Sequence, residues 1–207
     1  MGLAPDHKIQ RYAAKLAAGG WQLPLAIAIV ALIAEAGGDA WREVLRYDRI
    51  AVGQSEWWRL LSGHLVHLGW SHLAMNVLAL LGIWLLVGRN LRIPDWLLAG
   101  AVIVAGIDAG FWWREPQLIW YVGLSGALHG ILVAGLIAGW HRHRGEAVLL
   151  GGLLVAKLVY EQYFGALPGS AATAGGDVVV NAHLYGALAG LLAIVAVRVR
   201  VAALRSI

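Results

Sequence analysis

The chain has 207 residues, of which 60% are hydrophobic and 14% charged, against about 25% charged in an average soluble domain. With a mean hydropathy of +0.69 its apolar surface cannot be hidden in one water-soluble core, and it reads as an integral membrane protein. The absence of cysteine excludes disulfides, thiolate nucleophiles and thiolate metal sites, and the net charge of +4 comes from scattered basic residues that form no nucleic-acid-binding stripe.

Residues 1–20 carry Lys8, Arg11 and Lys15 and read as a short basic segment at the membrane surface, with no cleavable signal pattern. Trp21–Ala36 is the first predicted span, with Pro24 tolerated in its first turn. A polar connection follows over residues 37–70, where Trp57, Trp58 and Trp70 suit the headgroup interface. Ser71–Val87, Ile93–Trp112, Trp120–Trp140, Ala147–Phe164 and Val178–Val197 complete six spans. Each is near the ~20 residues needed to cross ~30 Å of hydrocarbon, the fourth being shorter if its helix begins only at Ser125. The expectation is an all-α polytopic bundle of six transmembrane helices over residues 21–200, with a short tail at 201–207.

Counting Lys and Arg sets the orientation. With the N-terminus inside, ten lie in inner segments, five in outer loops (Arg42, Arg46, Arg49, Arg59 and Arg114), and Lys157 within span five completes the sixteen. Ten against five puts both termini in the cytoplasm. Spans two, four and six then all run inward, so His72 and Asn76, Ser125, and Asn181 and His183 share one depth just below the outer surface. Polar groups in hydrocarbon are costly and mark function. Three clusters remote in sequence thus predict one site.

Ser125 needs a base, because a free hydroxyl is a poor nucleophile at neutral pH. His183 is the candidate, on a helix whose Gly186 and Gly190 form a small face; Gly126 and Gly130 give span four a matching one. Such faces allow close helix approach. His72 and Asn76, at i and i+4, share a helix face and can serve with the Ser125 backbone N–H as oxyanion donors. No carboxylate has an evident part: Asp108 lies toward the outer end of span three, and Glu161, four residues after Lys157, reads as that lysine's ion-pair partner. A Ser125–His183 dyad is the expected arrangement.

Gly123-x-Ser125-Gly126, His72-xxx-Asn76, Trp58-Arg59 and Ala182-His183-xx-Gly186-xxx-Gly190 together resemble a rhomboid intramembrane serine protease, in motif order and spacing, over about residues 21–200. The resemblance implies Ser125 as nucleophile, His183 as general base, and His72, Asn76 and the Ser125 N–H as the oxyanion hole. Gly123, Gly126, Gly186 and Gly190 support the site, and Trp58 and Arg59 anchor the first outer loop. It implies a transmembrane-anchored protein substrate, contact with membrane lipid, no nucleic acid, no metal and no cofactor. Rhomboids commonly carry an aromatic residue four positions after the serine; here it is His129. The run Gly-Leu-Ser-Gly-Ala-Leu-His-Gly resembles the rhombosortase branch, whose members are thought to cleave Gly-Gly-type C-terminal anchors from exported bacterial proteins. That implies a bacterial inner membrane, with the site opening to the periplasmic face.

Two other readings compete. A proteolytically inactive relative would bind and route membrane proteins, but retention of both Ser125 and His183 argues against it. A metalloprotein could draw on His64, His67, His72, His129 and His183, yet their spacing matches no zinc-protease helix and no glutamate adjoins them.

Overall fold

The computed structural model describes residues 20–206, so the basic segment read at 1–20 lies, but for Gly20, outside the described residues. The first helix, α1 (Gln22–Ala36), carries Pro24 in its opening turn, where a missing N–H costs nothing. The chain then bends by 117° into α2 (Gly38–Leu45). Gly38 makes the turn with φ +65°, a left-handed conformation that glycine adopts without a Cβ penalty. The outer connection continues as β1 (Tyr47–Asp48), α3 (Arg49–Gly53) and α4 (Arg59–Ser62). Asp48 caps α3, accepting from the N–H groups of Ile50 and Ala51. After it come α5 (Trp70–Val87), extended by a 3-10 turn to Asn90, then α6 (Ile93–Arg114), β2 (Trp120–Tyr121) and α7 (Ser125–Gly139). The chain closes with α8 (Arg144–Phe164), α9 (Ser170–Ala174) and α10 (Val180–Arg205).

The protein is mostly helical, with several apolar helices of membrane-crossing length. Among the described residues α5 with its 3-10 turn, α6, α8 and α10 are each long and apolar enough to cross, and the bent α1–α2 pair offers a fifth. The remaining predicted span is the 15-residue α7. At 1.5 Å per residue it covers only about 22 Å, because the chain from Trp120 to Leu124 is still non-helical where it approaches Ser125. The last helix also runs past the predicted boundary, through the tail to Arg205.

An all-helical reading omits one element. β1 and β2 pair antiparallel, Tyr47 opposite Tyr121 and Asp48 opposite Trp120. Burial explains why so short a ribbon holds. Phe111 packs against both tyrosines, with ring centroids 5.5 Å from Tyr47 and 4.8 Å from Tyr121. The outer connection is thereby pinned to the segment that leads into Ser125.

The core is built around α10, which packs principally against α7 and α6. Ile103, Ile107, Ala134, Ala182, Ala189 and Ala193 are buried along this contact. By contrast Leu149, Leu153, Val155 and Val159 of α8 are each more than half exposed. In a bilayer these side chains face lipid, so α8 is a peripheral helix with one inward face.

Candidate active site

Ser125 is the first residue of α7, where first-turn N–H groups have no intrahelical partner. The approach to it is tightly specified. Tyr121 donates its hydroxyl to the Gly123 carbonyl at 2.6 Å, and the Gly123 N–H donates to the Gly63 carbonyl at 3.0 Å. Gly123 itself holds φ +122°, and a Cβ there would stand 2.9 Å from His72 Cε1. Only glycine meets both conditions.

Across from it, His183 lies one turn into α10 and is buried. Its Nε2 is 3.0 Å from Ser125 Oγ, within the 2.6–3.2 Å that a nucleophile–base hydrogen bond requires. The small faces explain how the helices come this close. A Cβ on Gly126 would lie 2.9 Å from the Ala182 carbonyl oxygen, one on Gly130 2.6 Å from that of Gly186, and one on Gly190 2.5 Å from that of Gly130. The α7 and α10 backbones are in direct contact.

His72 is 8% exposed and accepts the Leu68 N–H at Nδ1 over 3.3 Å. Its hydrogen is therefore on Nε2, the nitrogen nearer Gly123. Asn76 uses one amide hydrogen on the His72 carbonyl at 3.0 Å, and the other is left for a ligand. Both residues line a cavity of 430 Å³ together with Ser125, His129 and His183. Asn181, predicted at the same depth, turns away and donates to Glu115 at 2.6 Å. Trp58 and Arg59 are also elsewhere: Arg59 bonds the carbonyls of Glu43 and Arg46 at 2.8 and 3.0 Å, and Trp58 that of Val44 at 3.3 Å. These bonds tie the start of α4 to the end of α2 and the residue after it.

His129 stacks on His183 with centroids 4.3 Å apart and planes 16° from parallel. Its Nδ1 donates to the Ser125 carbonyl at 2.7 Å. A neighbour that sequence reasoning does not assign to the site is Glu161. The predicted Lys157–Glu161 pair exists at 2.7 Å, but the other carboxylate oxygen of Glu161 is 2.9 Å from His183 Nδ1. In sequence, the i,i+4 lysine already accounts for a glutamate inside a span. The signal that could have found it was its predicted position near the outer end of span five, at the depth of the other clusters.

Of the five histidines in the alternative metal reading, only His129 and His183 fall in one group of potential ligands among the described residues. His64 bonds Asp108 at 3.2 Å, and His67 meets His72 edge-on. His67 is fully buried with neither ring nitrogen hydrogen-bonded; burial, reinforced by His72, pulls its pKa down to about 3 and keeps it neutral. His129, Glu161 and His183 do have ligand atoms within 4.8 Å of one another. The two rings are stacked, however, and the Lys157 ammonium already sits 2.7 Å from the carboxylate. A second, larger cavity of 960 Å³ lies between α1, α6 and the outer loop. Its walls are mostly apolar, with His64 and Asp108 among them, and it reaches none of Ser125, His129 or His183.

Comparison with known proteins gives a family match and one partial relative. The Rhomboid domain family matches residues 54–200. The chain is also 33% identical over 93 residues to a Bacillus subtilis (strain 168) protein named "Putative rhomboid protease YdcA". That match covers 44% of this chain and 46% of the relative, so the chain spans just under half the length of the curated protein it matches. No solved structure matches the chain significantly.

Proposed function

The chain belongs to the rhomboid family of multi-pass membrane proteins, whose proteases act on membrane proteins within the bilayer, and from its site we propose that it is an intramembrane serine endopeptidase. The observation that carries this reading is the 3.0 Å contact between Ser125 Oγ and His183 Nε2 inside a cavity walled by apolar helices. Ser125 Oγ attacks the scissile carbonyl carbon while its proton passes to His183 Nε2. The new oxyanion is met by the Ser125 N–H, His72 Nε2–H and the free Asn76 amide hydrogen. On collapse the C–N bond breaks, and the leaving amine takes the proton from His183. Water then attacks the acyl-enzyme, giving its proton to His183; the ester C–O bond breaks and the proton returns to Ser125 Oγ. No metal or cofactor takes part.

The substrate class we assign is a transmembrane-anchored protein cut near a Gly-Gly-type C-terminal anchor, as in the rhombosortase branch that the octapeptide around Ser125 resembles. Both termini are cytoplasmic and the site opens toward the periplasmic face of a bacterial inner membrane, in keeping with the Lys and Arg count.

Ser125→Ala tests the reading. The purified variant in proteoliposomes should fold as the wild type does and lose cleavage of a reporter joined to a Gly-Gly-led anchor, with the new C-terminus read by mass spectrometry. Cleavage by Ser125→Ala at the wild-type rate would remove Ser125 from the chemistry and overturn the assignment, whereas a wild-type protein that cleaves no anchored reporter would leave the chain as a binding relative.

A further inference from the structure

We infer that Glu161, with Lys157 beside it, is the positioning group for His183, so that the site operates as a Ser–His–Glu triad whose acid is carried by the peripheral helix α8. The inference rests on the reading of Ser125 as nucleophile.

Placement comes first. Glu161 is 3% exposed, whereas Leu149, Leu153, Val155 and Val159 of the same helix are more than half exposed. A lysine–glutamate pair serving only its own helix has no reason to turn its carboxylate into the protein, where burial of charge is costly. Here both carboxylate oxygens have specific partners: Oε1 accepts from Lys157 Nζ at 2.7 Å, and Oε2 faces His183 Nδ1 at 2.9 Å.

The hydrogen-bond inventory then decides the tautomer. Lys157 Nζ also lies 3.3 Å from His183 Nδ1 and could donate there only to a lone pair, but the carboxylate oxygen is nearer to Nδ1, at 2.9 Å, and the ammonium is committed to Glu161 at 2.7 Å. An ionised carboxylate can only accept, so it selects the imidazole with hydrogen on Nδ1. Nε2 is then a lone pair aimed at Ser125 Oγ–H, the form a general base needs. When the proton arrives, the imidazolium keeps Nδ1–H on Glu161, and the ammonium on the opposite oxygen balances the carboxylate until then. With glutamine in its place, the amide can turn either its oxygen or its nitrogen toward His183, and tautomer selection is lost.

The charged and titratable groups facing His183 are Ser125 and His129 from α7, His72 from α5, and Lys157 and Glu161 from α8. Of these Glu161 alone is an anion, and it favours the protonated ring; Lys157 opposes it. Removing the two groups must therefore displace the activity profile in opposite directions.

The test is the rate at which a fluorophosphonate labels Ser125 in the detergent-solubilised full chain, followed against pH. Labelling reports activation of the hydroxyl without requiring the natural substrate. Glu161→Gln should label about 10²–10⁴-fold more slowly, with the acid limb of its profile moved to lower pH. Glu161→Asp should recover part of the rate. Lys157→Met should move the acid limb to higher pH. A Glu161→Gln rate within twofold of wild type and an unmoved limb overturns the inference, as does equal slowing of both variants with no limb displacement. Should Glu161→Gln fail to fold, Lys157→Met decides, and an unmoved limb sinks the idea. Failure is separable from that of the underlying reading: labelling that persists in Ser125→Ala refutes the nucleophile, whereas a silent Ser125→Ala beside a wild-type Glu161→Gln refutes only the triad.

Discussion

His129 holds the proposed catalytic pair from two sides at once. Its ring covers His183, and its Nδ1–H is bonded to the carbonyl of Ser125 itself, so His183 and Ser125 are clamped by one side chain. Aromatic pairs of this kind are worth about 0.5–1.5 kcal/mol beyond their buried area, which corresponds to about a 2- to 12-fold change in the population of the productive ring orientation. His129→Ala should therefore reduce reporter cleavage by about that factor, while His129→Phe, which keeps the ring, should stay closer to wild type. Equal losses in the two variants, with unchanged melting, would assign the effect to the hydrogen bond instead of the stack. At this scale Ser125, His183, His72 and Asn76 are legible from sequence because each is a costly polar residue at one predicted depth. Glu161 is not, since its helix neighbour Lys157 supplies a sufficient local reason for it. His67 is not legible either: a fully buried histidine with two unbonded nitrogens has no sequence pattern of its own.

Helix α10 owes its position to backbone contact. The atoms that a Cβ on Gly126, Gly130 or Gly190 would meet are carbonyl oxygens, which cannot rotate away, and a Cβ on Gly186 would overlap the carbonyl of Gly126 outright. Gly186→Ala must push α10 off α7, and overpacking of this kind typically costs about 1–3 kcal/mol. Because Ser125 and His183 ride on these two helices, the expected outcome is a lower melting temperature together with loss of cleavage. Gly151→Ala on α8 is the control. Nothing lies within 4 Å of a Cβ there, and alanine favours helix by about 1 kcal/mol over glycine, so both melting and activity should hold. A Gly186→Ala protein that melts and cleaves like wild type would show that the small faces do not set the Ser125–His183 distance. The small faces are readable as spacing, and so is the start of α7 at Ser125. The β1–β2 ribbon is not, because two-residue strands carry no alternation; tertiary burial of Tyr47, Phe111 and Tyr121 makes them.

On the proposed reading, the whole molecule places a water-requiring reaction at one end of an apolar cavity. Composition alone makes the membrane reading, because 60% hydrophobic residues leave no other way to bury the surface. What composition cannot supply is the way in, which depends on helices packed far apart in sequence. The cavity is walled by Met75, Ala79 and Ile83 of α5 and by Leu150 and Leu154 of α8, with Ser125 and His183 at its polar end. An apolar helix is the natural occupant of such walls, but its carbonyls are bonded to its own N–H groups and are closed to Ser125. A helical substrate of the proposed protease would therefore have to unwind where it meets the site. Glycine costs a helix interior about 0.8–1.0 kcal/mol relative to alanine, and leucine almost nothing. Two glycines in place of two leucines thus lower the cost of unwinding by about 1.6–2 kcal/mol, or about 15- to 30-fold in rate if unwinding precedes chemistry. Reporters differing only in a Gly-Gly or Leu-Leu junction, compared in the same proteoliposomes under single-turnover conditions, should differ by that order. Equal rates would mean that the scissile carbonyl is exposed by some means other than local melting of the substrate helix, and would place the cleaved bond outside its helical part.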